Sequence, residues 1–182
     1  MPTAIDQLLA EHRIIEKVLR ALSGICDRLE RGEAIDPNVF EQVLDFLTTF
    51  TDHRHHQKEE KFLFPALGMH GLPRDRGPIG IMLQEHCSGR ALITHMKRAA
   101  NGYRDKESRA GDQFVESARE YVALIREHIQ KEDNVLFKVA QTLLDAQSME
   151  ALLEDFDRAD AELGADRARY ELEAEEMERA WA

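Results

Sequence analysis

A ten-residue segment occurs twice in this chain, and the repetition limits the folds that the chain can adopt. Residues 55–64 have the sequence His-His-Gln-Lys-Glu-Glu-Lys-Phe-Leu-Phe, and residues 128–137 have the sequence His-Ile-Gln-Lys-Glu-Asp-Asn-Val-Leu-Phe. The two segments align without a gap and share the pattern His-x-Gln-Lys-Glu-acidic-x-apolar-Leu-Phe. Self-similarity of this kind indicates that one supersecondary unit is used more than once.

A second, looser repeat lies upstream of each copy. The tetrapeptide Leu-x-Glu-His ends at His12 in the first half and at His86 in the second. His12 precedes His55 by 43 residues, and His86 precedes His128 by 42. Each half of the chain is therefore predicted to place one His on a first segment and a His-x-x-x-Glu motif on a second.

Apolar residues recur at intervals of three and four along most of the chain, which is the spacing of a buried stripe on an α-helix. No segment alternates apolar and polar residues convincingly, so we predict no strand. Gly and Pro concentrate between residues 68 and 80, which predicts the longest loop there. The predicted helices cover about residues 3–31, 37–65, 81–102 and 112–145.

The repeat and the helix pattern together predict an all-α protein. Each half forms one helical hairpin, and two hairpins form an up-down-up-down four-helix bundle with approximate two-fold symmetry. We assign residues 1–145 to this metal-binding bundle and residues 146–182 to an acidic C-terminal helical extension.

The last 35 residues, from Ser148 onward, contain 12 acidic and 4 basic residues. Apolar residues continue at roughly helical intervals and end with Trp181. Two interpretations stay open for this segment. It forms one or two extra helices that pack on the bundle or on a second subunit, which would give a homodimer, or it is a solvated acidic tail.

Residues four apart on an α-helix lie on the same face, about 6 Å apart along the axis. His55 and Glu59 on one helix, and His128 and Glu132 on another, can therefore converge on one metal ion or on two adjacent ions. Imidazole and carboxylate together suit iron, manganese or zinc, and the absence of thiolates argues against iron–sulfur and copper(I) sites. With His12 and His86, the bundle offers four imidazoles and two carboxylates.

A structural explanation competes with the metal site. A single His on an apolar stripe is more often a hydrogen-bonded core residue than a ligand. Glu132 is harder to explain in this way, because a charged, unpaired carboxylate between Ile125 and Val139 would cost several kcal/mol. The same argument applies less strongly to Glu59, because Lys58 and Lys61 lie near it in the sequence. We therefore favour a metal site over a structural role.

Four further residues are candidates for the surroundings of the site, and two roles stay open for each. His56 is an extra ligand or a partner of a ligand, and Glu60 faces solvent or accepts a hydrogen bond from a ligand imidazole. Arg90 offers its charge to an anionic ligand or pairs with a glutamate. Tyr121 bonds a metal-bound oxygen species or fills the core.

These motifs resemble the hemerythrin-like, or HHE cation-binding, family over roughly residues 1–145. The resemblance is carried by the order His, His-x-x-x-Glu, His, His-x-x-x-Glu, which is specific as a set although each part alone is weak. It implies a helical bundle that holds a non-haem di-iron centre bridged by two glutamates, with zinc or manganese as substitutes. The ligands implied are His12, His55, Glu59, His86, His128 and Glu132.

Oxygen-carrying members of this family use five histidines, with a His-x-x-x-His motif on the third helix and an Asp on the fourth. Here Arg90 stands in place of the second His, and the fourth helix offers Glu132. The resemblance is therefore closer to the bacterial hemerythrin-like and iron-centre repair proteins. A site with four His and two Glu leaves more open positions at iron, which favours reaction with dioxygen, peroxide or nitric oxide.

Three functions are consistent with the sequence: a di-iron protein that binds or turns over a small oxidant, an iron- or oxygen-responsive sensor or iron-handling module without turnover, and a structural bundle that binds zinc. A net charge of −11 disfavours nucleic-acid backbones and anionic membranes as partners. No apolar run approaches the roughly 18–20 residues of a membrane span. Two separate cysteines give no disulfide framework, so we expect a reducing, cytoplasmic compartment.

Overall fold

The computed structural model describes residues 2–164 and 167–182, and these residues contain helices and no strand. Some of the helices contain short π-helical segments and continue through them without a break. The described residues form six continuous helices: α1, Ala4–Glu30; α2, 37–69; α3, Gly77–Arg104; α4, 110–143; α5, Ala146–Leu163; and α6, Arg167–Trp181.

The predicted start signals of the first two helices are confirmed. At the start of α1, the Thr3 hydroxyl accepts a hydrogen bond from the Asp6 amide, and the Asp6 carboxylate accepts one from the Thr3 amide. This reciprocal cap satisfies two amides that would otherwise have no partner. At the start of α2, the Asp36 carboxylate accepts one hydrogen bond from the Asn38 amide, and Pro37 occupies the first turn, where its missing N–H is harmless.

Both helices that carry a His-x-x-x-Glu motif contain π-helical segments. Glu59 begins such a segment in α2 and Glu132 begins the equivalent one in α4, so the sequence repeat is also a repeat of local geometry. π-Helical turns are rare and occur frequently at functional sites. The π-helical segments are Leu47–His56, Glu59–Leu63 and Glu132–Leu136.

Helix α2 continues past Pro65 to residue 69, so the prediction of an end near Pro65 is wrong. Proline has no N–H, and in the π pattern that N–H would have bonded the carbonyl of Glu60. The Glu60 carbonyl instead accepts a hydrogen bond from the Arg74 guanidinium at 3.5 Å. The loop that follows is correspondingly shorter than predicted.

Two apolar clusters lie on either side of a layer of buried polar residues. On α1, residues 4–8 belong to the smaller cluster and residues 14–26 supply the larger one, with buried Glu11 and His12 between them. The same change from one cluster to the other occurs in α2, α3 and α4 at the positions of the repeated motifs. The fold therefore places the candidate ligands in one buried layer.

The described part of the acidic segment packs on the other helices, which excludes a solvated tail for these residues. Phe156 of α5 lies in the smaller cluster, and Tyr170 and Met177 of α6 lie in the larger one. Lys17 and Arg20 of α1 form ion pairs with glutamates of α6 at 2.8 and 2.6 Å. The division at residue 145 stays a prediction.

Within residues 2–164 and 167–182, no helix has the combination of length and hydrophobicity that crossing a membrane requires.

Candidate metal centre

The buried layer contains an unusual concentration of titratable side chains. Each of its members is at most 3% exposed, and their neighbours above and below are apolar. Burial of so many groups is unfavourable unless each has a partner of opposite charge or a cation. The buried polar and charged residues are Glu11, His12, Thr51, Arg54, His55, His56, Lys58, Glu59, His86, His128 and Glu132.

Seven of these residues form two groups whose ligand atoms converge. Within each group, the four ligand atoms lie within 4.8 Å of one another, a separation that a single metal ion can span. Glu59 belongs to both groups. The first ligand group is His12, His55, Glu59 and Glu132; the second ligand group is His56, Glu59, His86 and His128.

The two carboxylates stand between the two ligand groups. Glu59 places one oxygen 3.7 Å from His55 Nε2 and the other 3.4 Å from His86 Nε2. Glu132 Oε2 lies 3.2 Å from His12 Nε2 and 3.3 Å from His128 Nε2. Each glutamate therefore faces an imidazole of both groups, which is the arrangement required to bridge two metal ions.

Six of the atoms that face the centre of this layer have no hydrogen-bond partner among the described residues. Among the residues that the structure describes, neither oxygen of Glu59 or Glu132 has a hydrogen-bond partner, and Nε2 of His12 and His55 has none. Buried polar atoms without partners are rare in native proteins and cost free energy. Two divalent or trivalent cations would satisfy all of these atoms, so the residues fit a pair of metal ions.

A second set of carboxylates holds four of the histidines from outside. In each case the imidazole Nδ1–H donates to the carboxylate, which directs Nε2 and its lone pair toward the centre. We name Glu11, Glu60, Glu85 and Asp133 the outer carboxylates. Their hydrogen bonds are His55–Glu11 at 3.0 Å, His86–Glu60 at 2.8 Å, His128–Glu85 at 2.9 Å and His12–Asp133 at 2.6 Å.

These four hydrogen bonds form a closed ring around the bundle. Glu11 of α1 holds a histidine of α2, and Glu60 of α2 holds one of α3. Glu85 of α3 holds a histidine of α4, and Asp133 of α4 returns to α1. Each outer carboxylate also bonds a cation: Glu11 bonds Lys58, Glu60 bonds Arg90, Glu85 bonds Lys131 and Asp133 bonds Arg13.

The two central carboxylates have opposite pKa shifts. Burial and the nearby Glu132 carboxylate raise the pKa of Glu59 well above its ordinary 4.5. Burial also opposes ionisation of Glu132, but the adjacent His128 and His12 outweigh it and hold its pKa well below 4.5. The two imidazoles beside Glu132 therefore favour its ionised form, whereas burial beside a second carboxylate disfavours the ionised form of Glu59.

The pKa values of the histidines also shift in opposite directions. Burial alone would lower the pKa of His128, but the Glu132 and Glu85 carboxylates raise it to about 9. His12 also has a raised pKa, because its hydrogen bond to Asp133 and the nearby Glu132 carboxylate outweigh burial. Burial lowers the pKa of His55 to about 4 and that of His56 well below 6.5. The latter two imidazoles are neutral at pH 7, as metal ligation requires.

All six residues predicted as ligands lie in the two ligand groups, and His56 joins them as a fifth histidine. Glu60 accepts a hydrogen bond from His86, and Arg90 bonds Asp52 and Glu60 at 2.8 and 2.6 Å. Tyr121 lies in the larger apolar cluster outside both ligand groups, and burial raises its pKa.

Three of the outer carboxylates, Glu11, Glu85 and Asp133, were not predicted from the sequence, although the repeat contains a signal for them. Glu11 and Glu85 each precede a predicted histidine ligand, and an acidic residue follows each predicted glutamate ligand. Lys58 was placed near Glu59 in the prediction, but it bonds Glu11 at 2.6 Å instead.

The segment of the chain that contains the two ligand groups matches a known protein family. The model of the family described as Hemerythrin HHE cation binding domain matches residues 3–140. Uncharacterized proteins of Mycobacterium bovis and of two Mycobacterium tuberculosis strains are each 22% identical to the chain over 155 residues. The alignment covers 85% of this chain but only 60% of each of those relatives. No solved structure matches the chain.

Proposed function

Because the chain belongs to the family of hemerythrin HHE cation-binding domains, we propose that its buried layer holds two non-haem iron ions and reacts with a small oxidant. The observation that carries the proposal is the set of buried, unpartnered atoms on two glutamates and two histidines, which cations would satisfy. Five imidazoles and two carboxylates form a ligand set that suits iron, with zinc or manganese as substitutes.

The proposal includes an up-down-up-down bundle. Helix α1 passes from the smaller apolar cluster into the larger one, and α2 passes from the larger into the smaller. Helices α3 and α4 repeat this alternation. The order in which the helices cross the polar layer supports alternating directions.

The two proposed metal positions differ in their ligands. The first ligand group has two imidazoles and the second has three, and Glu59 belongs to both groups. Glu132 also faces a histidine of each group, so an ion in the first group would have one imidazole ligand fewer than an ion in the second. Bound iron supplies the exchange of electrons with dioxygen, peroxide or nitric oxide.

The protein's own side chains orient the ligands and exclude water. The outer carboxylates fix one tautomer of four histidines, and the apolar clusters on both sides keep the layer dry. Arg90, which is 39% exposed, lies at the edge of the layer and bonds Asp52 and Glu60. Its guanidinium and the His86 imidazole hold the pKa of Glu60 below its ordinary value against the opposing effect of burial.

The test is metal analysis with an absorption spectrum, on protein that carries no His tag and is expressed with ample iron. Two irons per chain with an oxo-bridged charge-transfer band in the near ultraviolet would support the proposal. One zinc, or no metal in a fully helical protein, would overturn it.

A second candidate is an iron-responsive sensor or iron-handling module without turnover. The specific observation in its favour is that a residue of the C-terminal extension, Asp160, bonds the buried layer. Peroxide consumption by the iron-loaded protein distinguishes the two functions. Turnover supports the first, and its absence together with a metal-dependent change in the extension supports the second.

A further inference from the structure

Helix α5, the first helix of the C-terminal extension, bonds the buried layer through Asp160. Asp160 accepts hydrogen bonds from Lys58 at 2.8 Å and from Gln7 at 3.0 Å, and it pairs with Arg54 at 2.8 Å. Lys58 in turn bonds Glu11 at 2.6 Å, and Glu11 holds His55. A continuous chain of bonds therefore runs from the extension to a residue of the first ligand group.

The extension makes the two halves of the repeat unequal at this point. Lys58 and Lys131 are equivalent in the sequence repeat, and each bonds the glutamate that holds the nearby histidine. The Lys131 side chain is 43% exposed, whereas that of Lys58 is 1% exposed beneath α5, with its ammonium 5.7 Å from the Phe156 ring. Only the first half has its lysine enclosed by α5.

We propose that Asp160 is a positioning residue for the metal ion of the first ligand group, and that it couples the docking of α5 to the binding of that ion. This inference rests on the proposed function, since it concerns the same two metal positions. It also deepens that proposal, because it assigns the extension a role at one of the two ions.

The charges around Lys58 explain the role. Lys58 is a buried cation that bonds two carboxylates, Glu11 and Asp160, and Asp160 also pairs with the buried Arg54. Loss of the Asp160 charge removes one of the two carboxylates that compensate the Lys58 ammonium, which is unfavourable for a cation that is 1% exposed. The excess positive charge then competes for Glu11 and disfavours a cation at His55.

Coupling of this kind acts in both directions. If a docked α5 strengthens metal binding in the first ligand group, metal binding must stabilise the docked α5 by the same free energy. The second ligand group has no such connection through Lys131, which faces solvent on its half of the repeat. The two metal ions should therefore differ in their dependence on the extension.

The test compares Asp160→Asn with wild type in the full chain. Anaerobic Fe²⁺ titration against a competing chelator gives the affinity of each metal position. We expect about a tenfold weaker affinity at one position and no change at the other, at the lower end of the effect of residues that support metal ligands. Asp157→Asn, which removes an exposed charge from the same helix, is the matched control and should behave as wild type.

Hydrogen exchange of the α5 backbone amides provides a second measurement. Iron should slow this exchange in wild type and in Asp157→Asn, and it should have little effect in Asp160→Asn. A merely structural role would speed the exchange in Asp160→Asn without a change in either iron affinity, and that result would overturn the proposal. Equal weakening of both affinities would also overturn it.

Two further variants keep the test decisive if Asp160→Asn folds poorly. Asp160→Glu keeps the charge and should retain most of the iron affinity. Lys58→Met combined with Asp160→Asn removes one buried cation with its counter-charge, and should bind iron more tightly than Asp160→Asn alone. Failure of wild type to bind iron would reject the proposed function itself, whereas two tight irons in every variant would reject only the role of Asp160.

Discussion

His55 and His56 are neighbours in the sequence but belong to different ligand groups. His55 lies edge-on to His12 with ring centroids 4.6 Å apart, and His56 stacks on His86 at 3.9 Å. Adjacent positions on an α-helix diverge by about 100°, so the two side chains cannot share one ion. They can serve two adjacent ions, because each belongs to a different ligand group and Glu59 belongs to both groups.

His56→Gln should therefore remove or weaken one iron and leave the other in place. The first ligand group keeps all four of its members in this variant, while the second loses one of three imidazoles. Metal content should fall from two irons toward one per chain, as measured by elemental analysis after removal of excess iron. His53→Gln, an exposed histidine three residues earlier, is the control and should keep both irons. Two tightly held irons in His56→Gln would assign His56 a role other than ligand.

Glu85→Gln tests the outer carboxylates. The side-chain amide of Gln carries no charge, so it cannot compensate the positive charge of Lys131 or the charge on metal-bound His128. It also no longer fixes the tautomer of the His128 imidazole. We expect metal affinity to fall by about 10–100-fold with the helical fold retained. Glu127→Gln, which alters an exposed residue next to His128, should leave affinity unchanged. Equal affinities in the two variants would show that the ring of outer carboxylates is not required for metal binding.

Metal binding should release protons at pH 7. The pKa of His128 in the metal-free protein is about 9, against an ordinary 6.5, so a metal ion must displace its proton. Apparent metal affinity should rise as pH increases and level off above about 9. Calorimetric titration in two buffers of different ionisation enthalpy measures the released protons directly. An absence of buffer dependence at pH 7 would contradict the protonated state of His128.

The raised pKa of His128 makes the stability of the metal-free protein fall as pH increases, whereas it makes the apparent metal affinity rise. A histidine with a raised folded-state pKa stabilises the fold fully below its unfolded pKa of about 6.5, and this contribution is lost as pH rises through about 9. The melting temperature of the metal-free protein should therefore decrease across this window, and that of the iron-loaded protein should decrease less. Thermal unfolding followed by circular dichroism provides the comparison.

Gly24→Ala should destabilise the protein even though alanine favours helices. A Cβ at position 24 would overlap the backbone carbonyl oxygen of Trp181, so the end of α6 would have to move. The overlap should cost about 1–3 kcal/mol, and the helical preference of Ala recovers about 0.5–1 kcal/mol of that. Gly89→Ala is the control, since its Cβ would meet only ordinary contacts at 3.6 and 3.7 Å, and it should be neutral or stabilising. Equal melting temperatures in the two variants would contradict the close approach.

The internal repeat predicts the helical class and six candidate ligands together, and all six candidates lie in the two ligand groups. A charged residue on an apolar helix stripe is informative because it requires a cation, and Glu132 supplies that argument from the sequence alone. The packing of the extension was not predictable to the same degree. Its apolar residues are spaced widely, and only the structure shows that Phe156 and Met177 occupy the two apolar clusters.

The roles of His56 and Lys58 could not be predicted from the sequence, because they depend on local helix geometry and on contacts between helices. An α-helical wheel places His56 about 100° away from His55, so a pattern based on α-helices leaves its role open. His56 ends a π-helical segment, whose positions an α-helical wheel does not describe. The bond between Lys58 and Glu11 could not be predicted either, because it joins two helices and depends on a third, α5, to bury the lysine.

The ring of outer carboxylates also determines how the four helices can slide against one another. Helices α1, α2, α3 and α4 each contribute one imidazole and one carboxylate to the ring, so every helix is bonded to two others. A slip of any helix by one turn would break two of the four bonds and leave charged groups buried without partners. Apolar packing tolerates such slips more readily than buried polar pairs do. The ring therefore specifies the axial register of the bundle, and it does so before any metal ion binds.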